Sequence, residues 1–177
     1  MSSPERVYSY SATLMGSPIL LKLFEDNQQA ARAVFRLIKQ QEDLLTVNRE
    51  HSQLMNVNHA AGQHPVTVSR PVFQLIQCAK AASMVRDSAF NLAIGQLVKL
   101  WRIGFHGHSV PDAAEIRARL ALTRPQEVIL DEATCSVFLQ QPGMELDLGA
   151  IAKGYIADRV RDFLRQQQVE KALINLG

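Results

Sequence analysis

The sequence predicts an α+β fold: antiparallel or mixed sheets with packed helices. Three observations carry this reading. Short apolar or alternating runs come in pairs around turn residues, as hairpins do. Longer segments repeat their apolar residues at helical spacing. The two kinds of segment do not follow the strict strand–helix–strand order of a parallel α/β sheet. At 177 residues the chain suits one domain with a substantial core, residues 1–177, and is short for two.

VYSYSATLM (7–15) and ILLKLF (19–24) read as two strands joined by a Gly16-Ser17-Pro18 turn. Asp26 stands as the cap of a long helix whose apolar face holds Ala30, Val34, Leu37, Ile38, Leu44 and Leu45. The stretch NREHSQLMNVNHAAG (48–62) is dense in Asn, His and Ser and reads as irregular structure or short turns. HPVTVS (64–69) forms a short strand. Ser69 then caps a second helix, with Pro71 in its first turn, running to about Arg86. The chain bends at Ser88 and resumes as a short helix ending at Trp101; 102–112 is loop and 113–122 a further helix. EVILD (127–131) and CSVFLQ (135–140) make a hairpin through Glu132-Ala133-Thr134. A helix from Gly149 and a strand, KALINL, complete the run. Because the last strand leads into a glycine turn at Gly177, the chain reads as a fragment of a longer protein. There is no repeat, linker or low-complexity segment.

Composition excludes little but points away from some partners. The chain is 47% hydrophobic and 20% charged, with a net charge of +2, which makes no electrostatic case for nucleic acid or a membrane surface. The first residues lack a signal peptide's apolar region, and ILLKLF is too short to span a bilayer and is interrupted by Lys22, so a cytoplasmic location is expected. Cys78 and Cys135 form no ligand-spaced pair and read as two free, largely buried thiols, Cys135 within a strand. His106-Gly107-His108 lacks the further spaced ligands of a metal site. His51, His59 and His64 read as loop residues, and Arg117 and Arg119 as the solvated face of a helix.

LDLGAIAKGYIAD (146–158) is the run that asks for chemistry. Leu148, Ile151, Ala152, Tyr155, Ile156, Val160, Phe163 and Leu164 give one buried helical face. Asp147 stands at the N-cap position and can accept first-turn amides. Lys153, by contrast, is a cation in the early turns, where the helix dipole favours anions. Asp147, Gly149, Lys153 and Gly154 therefore suit a phosphate at a helix N-terminus. On pattern alone an ordinary helix start with a surface lysine and packing glycines fits better, because the spacing is neither a P-loop nor GxGxxG.

The same run resembles the L-D-L-G-x-x-x-K-G-Y-x-x-D signature of the ApbE-type FAD:protein FMN transferases. Four further segments resemble that family in the same order. Met15-Gly16-Ser17 is similar to its Met-Gly-Thr, and 52–58 (SQLMNVN) to its S-E-L-S-R-L-N. Residues 88–101 (SAFNLAIGQLVKLW) are similar to its G-A-F-D-P-T-V-G-P-L-V-x-L-W, and 172–177 (ALINLG) to the strand before its G-G-D. Each is weak alone; five in order, over nearly the whole chain, are specific.

The resemblance implies an ApbE-like fold and an enzyme that splits the pyrophosphate of FAD with a divalent metal, usually magnesium. It implies transfer of FMN to a Thr or Ser hydroxyl of a target flavoprotein as a phosphoester, with release of AMP. An FAD pyrophosphatase and a non-catalytic FAD-binding fragment are the alternatives. By resemblance Met15, Asn48, Ala89, Phe90, Asn91, Asp147 and Lys153 contact FAD, Met15 lying against a flavin or adenine ring, and the Ala150 carbonyl joins the magnesium shell. Asn91 stands where the family has aspartate, Ala93 where it has threonine, and Asn48 where many relatives have tyrosine. The family's remaining metal and base residues follow the point matched by Gly177, so no catalytic residue is assigned within the chain.

Overall fold

The computed structural model describes residues 6–102 and 110–177. In chain order the elements are β1 (Tyr8–Leu14), β2 (Ser17–Leu23), α1 (Gln28–Leu45), α2 (Gln53–His59), β3 (Val66–Thr67), α3 (Arg70–Ser83), α4 (Gly95–Leu100), α5 (Ala113–Leu120), β4 (Val128–Asp131), β5 (Ser136–Leu139), α6 (Gly149–Gln166) and β6 (Ala172–Asn175). The chain divides into two compact units, residues 1–43 with 151–177, and residues 44–150. Each holds a three-stranded sheet, ordered β1-β2-β6 in the first and β3-β5-β4 in the second, and every pairing is antiparallel. The α+β expectation holds.

The first unit is organised by its hairpin. Leu14 pairs with Ser17, so β1 and β2 are joined by only Met15 and Gly16, at φ 52 and 68. Two left-handed residues make a type I′ turn, whose twist matches that of the strands. The turn is thus shorter than expected, and Ser17 and Pro18 belong to β2. Pro18 is tolerated there because Leu14–Ser17 closes the hairpin with hydrogen bonds, which leaves Thr13–Pro18 as a non-bonded pair. On its other side β6 pairs only with Leu20–Leu23.

Ile19, Leu21 and Leu23 on one face of β2 are fully buried against Ala30, Ala31, Val34 and Ile38 of α1 and Ile156, Val160 and Leu164 of α6. Burial of each Leu, Ile or Val side chain in this group contributes about 1.5–3 kcal/mol. The α1 stripe also sets the helix start. Asn27 Oδ1 accepts from the Ala30 amide at 2.9 Å and its carbonyl accepts from Ala31 at 3.1 Å, so Asn27 rather than Asp26 is the cap.

In the second unit the stretch expected to be irregular contains α2. Ser52 caps it, accepting from the Met55 amide at 2.9 Å and donating to the Thr46 carbonyl at 2.7 Å. Leu54, Met55, Val57 and Asn58 are its buried residues, a helical spacing that the density of polar residues conceals. Ser69 precedes α3 as expected, but its hydroxyl makes no capping bond; its amide donates to Gln53 Oε1 at 2.8 Å instead.

The cysteine readings need correction. Cys78 is exposed on α3, and Cys135 is half-buried at φ 52 in the turn between β4 and β5, outside either strand. Both are unpaired. His106-Gly107-His108 lies outside the described residues. No helix among the described residues is long and apolar enough to cross a membrane.

Candidate functional site

In the second unit, hydrogen bonds tie two of the sequence-predicted segments together. Asn58, buried in α2, grips the Leu146 backbone with both ends of its amide: Nδ2 donates to the Leu146 carbonyl at 3.0 Å, and Oδ1 accepts from the Leu146 amide at 2.8 Å. The flanking residues are held too. The Gly95 amide donates to the Glu145 carbonyl at 3.1 Å, and the Asp147 amide to the Leu92 carbonyl at 2.9 Å. A loop that carries an acid is fixed over three consecutive residues.

That last bond places Asp147 beside the segment holding Ala89, Phe90 and Asn91. Ala89 is exposed, while Phe90 and Asn91 are half-buried. Asn91 Nδ2 donates to the Thr123 carbonyl at 2.9 Å, and Oδ1 accepts from the Ala93 amide at 2.9 Å. An aspartate could make the second bond but not the first, since an ionised carboxylate has no donor. The departure at Asn91 thus has a structural counterpart in this chain. Asn48 is exposed and stands outside this network; its amide donates to Thr46 Oγ1 at 3.2 Å.

Asp147 lies two residues ahead of the first helical residue of α6, not at the N-cap. It still serves the helix start, because Oδ1 accepts from the Gly149 amide at 2.7 Å. One Asp147 oxygen is so engaged. Ala150, the second residue of α6, is exposed.

In the first unit, Met15 and Lys153 are brought to the same hairpin. Met15 occupies the left-handed turn with its side chain half-buried against the core. Lys153 Nζ donates to Ser17 Oγ at 3.2 Å and to the Gly177 backbone oxygen at 3.1 Å. The lysine that looked misplaced for the helix dipole therefore has oxygen partners at the strand ends.

Neither Ser17 nor Asn58 was singled out by sequence reasoning. Ser17 was read as part of a turn and of the Met15-Gly16-Ser17 motif without a role of its own, and the only signal for Asn58 was its place in the SQLMNVN motif.

A magnesium shell is not met by these residues. Ala150 offers one carbonyl, and no group of three or more His, Cys, Asp or Glu among the described residues could hold a metal ion. Magnesium demands near-octahedral oxygen coordination.

Comparison with known proteins gives a consistent result. The ApbE family profile matches residues 15–177. An FAD:protein FMN transferase of Klebsiella pneumoniae (strain 342) is 86% identical over 175 residues, which are 99% of this chain and 55% of that protein. One from Treponema pallidum (strain Nichols) is 36% identical over 97% of the chain and 50% of its own length. Among solved structures, the flavin transferase ApbE of Vibrio cholerae matches with a TM-score of 0.89 at 25% identity, over 98% of this chain and 58% of that one. The ApbE protein of Thermotoga maritima matches with a TM-score of 0.83 at 27% identity, over 94% and 55%. The chain spans about half the length of the curated relatives it matches.

Proposed function

This chain belongs to the ApbE family, and from that premise we propose that it is part of an FAD:protein FMN transferase, with residues 1–177 forming the N-terminal part of one flavin transferase domain. A Thr or Ser hydroxyl of a target flavoprotein attacks the FMN-side phosphorus of FAD. The P–O bond to the AMP phosphate breaks, AMP leaves, the hydroxyl proton is lost, and FMN remains on the acceptor as a phosphoester. The observation that carries the reading is the relative of that name, 86% identical over 99% of the chain.

Within it, Met15 packs on a flavin or adenine ring, Ala89, Phe90, Asn91 and Asp147 line the nucleotide, Asn48 borders it, and the Lys153 ammonium contacts a phosphate oxygen. Two physical features support it: Asp147 and the 89–91 segment are held together through Leu92, and Lys153 carries a positive charge at a glycine-thinned helix start. Magnesium, with Ala150 contributing a carbonyl, is part of the proposal; its other protein ligands would come from outside these 177 residues. A cytoplasmic location is also proposed, in keeping with two unpaired cysteines.

The test uses the complete protein encoded by the gene that carries this chain, incubated with FAD, magnesium and a co-encoded flavoprotein. A mass increase equal to FMN on one acceptor Thr or Ser, with stoichiometric AMP, is expected. Rapid release of free FMN and AMP without any acceptor would instead identify a pyrophosphatase, and FAD binding with neither product a binding module.

A further inference from the structure

The Lys153 ammonium has three N–H donors. Ser17 Oγ takes one at 3.2 Å and the Gly177 backbone oxygen a second at 3.1 Å. One donor remains. We propose that Ser17 is a positioning residue, which orients the Lys153 ammonium so that its remaining N–H meets a phosphate oxygen of the nucleotide. This rests on the flavin-transferase reading above and adds to it a residue that touches the lysine rather than the ligand.

Three features of the first unit fix Ser17 in this role. It is the first residue of β2, paired with Leu14, and directly follows the left-handed Met15-Gly16 turn. The hairpin that presents Met15 therefore also sets the height of the Ser17 hydroxyl. Leu20–Leu23 pair with β6, which brings the strand leading to Gly177 alongside β2. Gly177 then approaches closely: at φ 85, a Cβ there would stand 2.6 Å from Ser17 Cβ and 3.3 Å from Lys153 Nζ. The Gly177 amide donates to Asn175 Oδ1 at 2.9 Å, which closes the turn that presents its backbone oxygen.

A lysine is otherwise a poor locator of charge. Its flexible four-carbon stem leaves the ammonium free to choose among many rotamers. Two fixed acceptors remove much of that freedom before ligand arrives, so less is lost on binding. Ser17 Oγ is an uncharged acceptor, so it orients the ammonium without cancelling its charge.

The experiment is a double-substitution cycle in the complete gene product: Ser17→Ala, Lys153→Ala and both together. FAD affinity is titrated by flavin fluorescence with magnesium present and no acceptor protein, and thermal melts are recorded in parallel. Ser17→Ala should weaken FAD binding roughly 3- to 10-fold with an unchanged melting temperature. Ser17→Thr, which keeps the hydroxyl, should restore it. On the Lys153→Ala background, Ser17→Ala should change affinity by less than about twofold, because its effect runs through the lysine. Equal losses on both backgrounds, or no loss in Ser17→Ala while Lys153→Ala is defective, would overturn the proposal. A complete protein that binds no FAD at all overturns the flavin reading itself, and a lower melting temperature with unchanged affinity assigns Ser17 to folding alone.

Discussion

A methionine in a left-handed turn is an unfavourable choice, since the conformation costs a residue with a Cβ about 1–2 kcal/mol. Asn-Gly is the preferred pair for a type I′ turn, yet the chain has Met15-Gly16. If Met15 is kept for its side chain, Met15→Asn should hold or raise the melting temperature while weakening FAD binding; stability and affinity falling together would make it a plain core residue. Lys153 answers to a similar separation. It is half-buried and off the core stripe, with two hydrogen bonds, so Lys153→Ala should change stability by less than about 1 kcal/mol. Loss of a charge-assisted contact to phosphate should weaken FAD by about 1.5–3 kcal/mol. Unchanged affinity and transfer would end the functional role of the lysine. Asp131, which is not among the proposed nucleotide contacts, offers a control. The Thr134 hydroxyl at 2.8 Å, and then the Ala133 amide at 3.0 Å, hold its carboxyl below the usual carboxylate value. A depressed carboxylate lends its stability above its unfolded value and loses it as pH falls through the folded one. Carbon NMR of the carboxyl should therefore show a low midpoint that rises in Thr134→Val.

Asn58 belongs to the scale of elements, because it joins α2 to the loop that leads into α6 through both ends of one amide. Asn58→Ala would leave the Leu146 N–H and C=O without partners in a buried place, at a cost of about 2–4 kcal/mol. Urea unfolding should register that loss; a change below ~1 kcal/mol would mean that water replaces the amide at no penalty. The same residue marks the limit of what was legible. The hairpins, α1, α3, α6 and the closing strand were readable because their apolar residues keep a period of 2 or 3.6. So was the start of α6 at Gly149, although Asp147 stands one residue ahead of the N-cap that the pattern gave it. The helix over 53–59 was not, because its buried face includes Asn58 and its exposed positions Asn56 and His59 are ordinary loop residues. The placement of Asn27 over Asp26, and of Ser17 within a strand, depended on registers that only packing and the two-residue turn decide. Cys135 misled for the converse reason: it adjoins a strand pattern, yet it takes the φ 52 conformation that lets β4 and β5 pair from Asp131–Ser136 onward.

Across the whole molecule, the proposed nucleotide contacts are legible in this chain while a metal shell is not. Five motifs in order were enough to point to the family, because each is a short local run; by the same resemblance, the other metal ligands follow the point matched by Gly177. Ala150 supplies one carbonyl, and an octahedral ion has six positions to fill; the described residues contain no three-ligand cluster to fill more. In the proposed transfer, negative charge accumulating on the phosphoryl group would need electrostatic stabilisation, and Lys153 would supply a single positive charge. The 177 residues expressed by themselves should therefore release no AMP from FAD and magnesium, even where they retain flavin affinity. The complete gene product, under the same conditions with its acceptor, should release one AMP for each FMN attached. Chromatographic quantification of AMP against acceptor-bound flavin reads both. Metal-dependent AMP release by the 177 residues alone would show that Asp147, the Ala150 carbonyl and water form a working site without further ligands, and would move the chemistry into this chain.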